Sequence, residues 1–212
     1  MGDEGEADGR RPDAGISAGR LLTFSDGVFA IAFTVLVLDL DVPDGLSAAQ
    51  LRAALNEELP HVFSALLSFA VIGRFWIAHH KVFEHVTTVD TVLLVLNTAL
   101  LAPIALIPFG ATLLAEYGSD PSAFIVYATT IGAAALFQLV VWLWVNRRRR
   151  IAGERLDEQD VLNTTLGLAG ATAAFLLAIP VALVSTTAAP LCWLLALVPT
   201  DRLAARIRTR RT

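Results

Sequence analysis

Residues 20–43 read RLLTFSDGVFAIAFTVLVLDLDVP. From Leu21 onward this is an apolar run long enough to cross a bilayer, which takes roughly 20 residues rising about 1.5 Å each. It nevertheless carries a carboxylate, Asp26, about one and a half turns after Arg20. At about 100° per residue, Gly27, Ile31, Thr34, Leu38 and Asp41 fall on one stripe. Asp26 lies roughly a quarter-turn off it, beside Phe33 and Val37. The run therefore has two special faces. One is a narrow stripe of medium apolar groups with one hydroxyl, ending in the acids Asp39 and Asp41. The other buries a carboxylate that needs a partner, and ionisable groups inside a span are costly and mark function.

The rest of the chain has the same character. Of its 212 residues, 55% are apolar and 17% charged, and the mean hydropathy is +0.62. Soluble domains run nearer about 45–50% and 25%, so a soluble enzyme and a disordered chain are both disfavoured. One cysteine excludes a disulfide framework and a Cys-rich zinc site. A net charge of −4 gives no nucleic-acid signal. Apolar runs at 21–43, 55–78, 91–115, 122–146, 160–184 and 187–201 predict six transmembrane helices. The last is short and interrupted by Pro190 and Pro199. The expected organisation is a disordered polar tail over 1–19, a membrane domain over 20–201 and a basic tail over 202–212. The first tail does not read as a signal peptide, because it has no net positive bias and no cleavage signal.

Lys and Arg set the orientation. Arg10, Arg11, Arg20, Lys81, Arg147 to Arg150, Arg155 and the cluster from Arg202 to Arg211 all fall on one side if six spans alternate. The other side has only Arg52, among Asp39, Asp41, Asp44, Glu57, Glu58, Glu116 and Asp120. Both termini are thus expected in the cytoplasm of a cell-membrane protein. The RRRR at 147–150 reads as a topology anchor, or as a contact for anionic lipid headgroups.

A second polar cluster joins the end of the second run to the third. It reads RFWIAHHKVFEH over 74–85, followed by Asn97 within VLLVLNTALL. Arg74, Trp76, His79, His80 and Asn97 bring donors to the depth of Asp26. A buried carboxylate is tolerated when it receives hydrogen bonds or a counter-charge. Ser25 and Asp26 are therefore expected to bond to some of these donors, tying the first run to the next two. No metal site is expected, since neighbouring histidines on a helix diverge by about 100° and no HExxH order occurs.

These residues carry a resemblance. Arg20-x-x-x-Phe24-Ser25-Asp26, then Trp76-x-x-His79-His80, Asn97 and Ile107-Pro108-Phe109, resemble the transmembrane-protein-175 family of potassium channels of bacteria and lysosomes. The likeness is motif-specific across the first three runs and rests on length and layout beyond them. It implies an all-α integral membrane protein with six helices per subunit, a homotetramer, and the first helix lining a central pore. It also implies no re-entrant filter loop, and no TVGYG string occurs here. By the same matching, Ile31 forms the constriction and Thr34 contributes to ion selection. Arg20, Phe24, Ser25 and Asp26 hold packing, with Trp76, His79 and Asn97 as bonding partners.

The function expected on this basis is a potassium channel with modest preference over sodium and no cofactor. Its partners are the permeant ion, its own copies and membrane lipid. Four Ile31 side chains would make an apolar neck able to gate by dewetting. Asp39 and Asp41 would raise the local cation concentration at the outer mouth. The competing reading is a proton-coupled or small-solute transporter using Asp26 and His79 as a relay, weakened by the lack of an internal repeat. Neither a nucleophile elbow nor a metal motif supports an enzyme.

Overall fold

The structure, a computed structural model, describes residues 17–38, 40–148, 158–185 and 192. Six helices follow in order: α1 (Ala18–Leu38), α2 (Ala48–Glu57), α3 (Leu59–Phe83), α4 (Thr91–Glu116), α5 (Pro121–Arg147) and α6 (Glu158–Ala182). Five of them are long and apolar enough to cross a membrane. The exception is α2, ten residues with no buried side chain. The chain is thus a multi-pass helical membrane protein.

The six described helices are not the six expected spans. The short α2 was not anticipated, because its charges and lack of a long apolar run read as a loop. It is set locally by a capping box: Ser47 Oγ accepts the Gln50 amide, and Gln50 Oε1 accepts the Ser47 amide at 3.0 Å. The expected sixth span, 187–201, lies outside the described residues except for Cys192, as do 1–16 of the expected 1–19 tail and all of 202–212; the end of that first tail is not disordered, since Ala18 and Gly19 already belong to α1. The first span ends at Leu38, not 43. Pro43 disfavours helix at the residue before it, and Asp41 stands exposed in irregular chain beyond the helix. Asp41 is therefore not on a helical stripe with Ile31. The second span covers 59–83 and not 55–78. Pro60, at the start of α3, fits the first turn, where a missing N–H costs nothing. At the other end Lys81 falls in the last helical turn, not in a loop.

Packing follows a simple order. α4 packs against α1, α3 and α5; α5 packs α6, and α3 also reaches α5. α1 touches only α3 and α4 among the described elements. The deepest residues are Leu93, Leu100, Ile104 and Ile107 of α4 with Tyr127, Ile131 and Val141 of α5, all with no exposure. Asp90 caps α4 by accepting the Leu93 amide at 2.7 Å, and Asp120 caps α5 by accepting the Ser122 amide at 2.7 Å. That amide holds the Asp120 carboxyl below its usual range. Successive spans alternate, so Arg20, Lys81, Arg147 and Arg148 gather at one end of the bundle, here the basic end. Asp44, Glu57, Glu58, Glu116 and Asp120 gather at the other.

Two features of α4 need explaining. Pro103 and Pro108 lie inside it, each removing one helical donor. Membrane helices tolerate this where neighbours supply replacement bonds. The carbonyls they free are those of Ala99 and Ile104; the bond that α3 makes to this helix, from Ser64 Oγ, goes instead to the Ala111 carbonyl at 2.7 Å. Gly110 lets α4 approach α5: a Cβ there would sit 3.2 Å from Tyr127 Cδ2 and 3.4 Å from Tyr127 Cα. Because a backbone atom cannot swing aside, Gly110→Val is expected to cost about 2–3 kcal/mol, the upper end of overpacking. A lowered melting temperature in detergent checks this; an unchanged one would show that the two helices do not meet at Gly110.

Candidate functional site: a buried polar relay behind an uncovered helix face

The relay starts on α1. Ser25 is fully buried, and its hydroxyl donates to the Leu21 carbonyl one turn back at 2.9 Å. With its hydrogen committed, Ser25 Oγ accepts from Asn97 Nδ2 of α4 at 2.9 Å. The amide's other end, Asn97 Oδ1, lies 2.8 Å from His79 Nε2 of α3. Since Asn97 presents its oxygen there, His79 carries its proton on Nε2 and donates it. His79 and Asn97 have no exposure. The ring is clamped by Phe83, centroids 4.4 Å apart and stacked, and by Phe29 at 5.6 Å. Three helices are thereby joined by one directed chain of hydrogen bonds.

A second link lies on the neighbouring flank. Trp76 Nε1 of α3 donates to Asp26 Oδ1 at 2.9 Å. Phe33, two turns along α1, meets Phe69 of α3 at 4.5 Å between centroids. Both Asp26 and Phe33 sit on the border between the packed and open sides of α1. His80 does not join this set; it faces Glu84 at 3.6 Å and tilts against Trp76 at 5.9 Å. Arg74 does not join it either. It is exposed and makes no ion pair among the described residues. Five residues turn a helix by about 140° net, so Arg74 points away from His79.

The remaining face of α1 is bare. Leu21, Ser25, Phe29, Ala32 and Leu36 are buried against α3 and α4. Arg20, Phe24, Gly27, Ile31, Thr34 and Leu38 are exposed, Ile31 at 64% and Leu38 at 76%. A Cβ added to Gly27 would meet nothing within 4 Å. Thr34 Oγ1 donates back to the Ile31 carbonyl at 2.9 Å, which turns its lone pairs outward. Asp39 lies outside the described residues.

Several polar contacts escaped sequence reading, among them Trp142 Nε1 of α5 donating to Thr165 Oγ1 of α6 at 2.8 Å and two more. Ser68 of α3 and Tyr127 of α5 are buried and 2.9 Å apart at their hydroxyls; Ser64 and Ser68, one turn apart in an apolar run, were the available signal. Trp144 Nε1 donates to both Asp90 oxygens at 3.2 Å, where an acid directly before an apolar run was the signal.

Taken together, these features define a helical membrane protein whose first helix is locked from behind and left open in front. Comparisons with known proteins narrow the class. Residues 20–108 match the family described as the endosomal/lysosomal potassium channel TMEM175. That stretch opens at Arg20 and contains every member of the relay. A potassium channel of Streptomyces collinus is 35% identical over 172 residues, 79% of this chain and 84% of that one. The human endosomal/lysosomal proton channel TMEM175 is 34% identical over 139 residues, 60% of this chain but only 28% of that one. The crystal structure of a lysosomal potassium-selective channel TMEM175 homolog from Chamaesiphon minutus superposes with a TM-score of 0.73 at 30% identity, covering 87% of this chain and 97% of that one. The chain belongs to the TMEM175 family.

Proposed function

We propose that the chain is a subunit of a potassium-permeable channel, four copies surrounding an axis that the bare face of α1 lines. The observation that carries this reading is the uncovered stripe itself. α1 exposes a line of small and medium groups, Gly27, Ile31, Thr34 and Leu38, while its back is fixed by buried hydrogen bonds. Small residues let helices approach closely in a membrane, and Gly27 offers nothing to lipid that would favour its place there.

In this arrangement four Ile31 side chains form an apolar neck, narrow enough to expel water unless it widens. One turn further, four Thr34 hydroxyls stand with their hydrogens bound to the backbone and their oxygens free to meet a partly dehydrated cation. A single oxygen ring replaces few hydration waters, so the preference for potassium over sodium is modest. Leu38 continues the wall, and Asp39 and Asp41 draw cations to the mouth. Arg20 and Phe24 face neighbouring subunits, while Ser25, Asp26, Trp76, His79 and Asn97 keep α1 at its angle. The positive-inside rule puts the basic end, and with it the N-terminus, in the cytoplasm of a cell-membrane protein; the C-terminus joins it through the sixth crossing expected over 187–201.

Bilayer recording on the purified protein tests the reading. Unitary current steps carried by potassium, with smaller sodium currents, are expected. A chloride-selective current contradicts it, and slow stepless transport would favour a carrier instead.

A further inference from the structure

At the basic end, α4 and α5 carry a cluster that the relay does not use. Trp144 is fixed by its two hydrogen bonds to Asp90, the cap of α4. Arg148, the residue after α5, holds its guanidinium over the Trp144 ring, 4.7 Å from the ring centre. Arg147 and Arg148 are exposed, and neither pairs with a carboxylate among the described residues. The sequence continues with Arg149 and Arg150.

A topology anchor needs only point charges. This cluster has more: one guanidinium is seated on a fixed aromatic face, so its rotamer freedom is already spent before a ligand arrives. The indole takes up the cation's face and none of its hydrogen bonds. The N–H fork remains without a charged acceptor, and its geometry fits two oxygens of one phosphate. A tryptophan at the end of a span sits at headgroup depth, which is where phosphates are found.

We propose that Arg147 and Arg148, seated by Trp144, form a binding site for the phosphodiester of an anionic phospholipid. The full-length protein in nanodiscs, titrated with phosphatidylglycerol against a phosphatidylcholine background, tests this without relying on ion conduction, so the result is independent of the pore reading. Wild type is expected to bind phosphatidylglycerol well above phosphatidylcholine. R147Q/R148Q should weaken it roughly 25-fold, at about fivefold for each basic group lost near a membrane surface. Melting in phosphatidylcholine alone should leave that variant's stability unchanged. R148K keeps charge, helix and orientation and loses the planar fork; it should weaken binding roughly threefold, the worth of about one hydrogen bond and less than R147Q/R148Q. Phosphatidylglycerol binding by R148K equal to wild type would overturn the site and leave an anchor of charge only. Displacement of the lipid by millimolar inorganic phosphate would overturn the lipid assignment, making this a site for soluble anions.

Discussion

Ile31→Asn is expected to pass several times more current than wild type and to separate potassium from sodium less well. The argument is one of wetting. An isoleucine ring holds no water, so an ion crossing it sheds hydration with nothing in return. Asparagine is unbranched at Cβ and offers an amide, so the neck both widens and holds water. Each lowering of the barrier by about 1.4 kcal/mol multiplies flux tenfold. Sodium, the more strongly hydrated ion, gains more from retained water, so selectivity falls. Ile31 is 64% exposed in the isolated chain, so the substitution disturbs little of the subunit's own packing. Single-channel conductance and reversal potentials under mixed potassium and sodium give the answer. Currents unchanged in both respects would remove Ile31 from the permeation path.

The second large effect is expected at Asn97, and it concerns stability. Asn97→Ala removes the acceptor for His79 Nε2–H and the donor to Ser25 in one step. Each stranded buried group costs about 1–3 kcal/mol. Hydrogen bonds between membrane helices average only about 0.6 kcal/mol when measured, because the separated helices find other partners. Two orphans at fully buried positions place the loss at about 2–4 kcal/mol. Detergent melting should fall, and the yield of assembled protein should fall with it, since α1 loses its fixed angle. Asn97→Ala melting like wild type would show that the relay contributes nothing to holding α1.

How far these features could be read in advance depended on how much each cost. Asp26, Ser25, His79 and Asn97 were conspicuous because polar groups in a bilayer must find partners, and few were available at their depth. The bare stripe was legible as a periodicity, though periodicity alone did not distinguish a pore from lipid contact. What stayed hidden was cheap. α2 is short and polar, so its local capping box decided it and no hydropathy signal did. The start of α3 turned on Pro60. Arg74 looked like a member of the network by position in the sequence and was excluded by the angle at which it leaves the helix. The Ser68–Tyr127 contact joins residues 59 apart in sequence, so the serine pair on α3 could mark a polar spot in an apolar run but could not name its partner.

The chain of donors from His79 through Asn97 and Ser25 to the Leu21 carbonyl has a sense of direction. Its last acceptor is main chain and cannot be changed by substitution, so every link upstream inherits its polarity from that end. Reversing one link strands two lone pairs or two hydrogens against each other. Viable change at these three positions should therefore come in concert, and descendants of this sequence are expected to keep or replace the trio as a unit while the bare stripe drifts residue by residue.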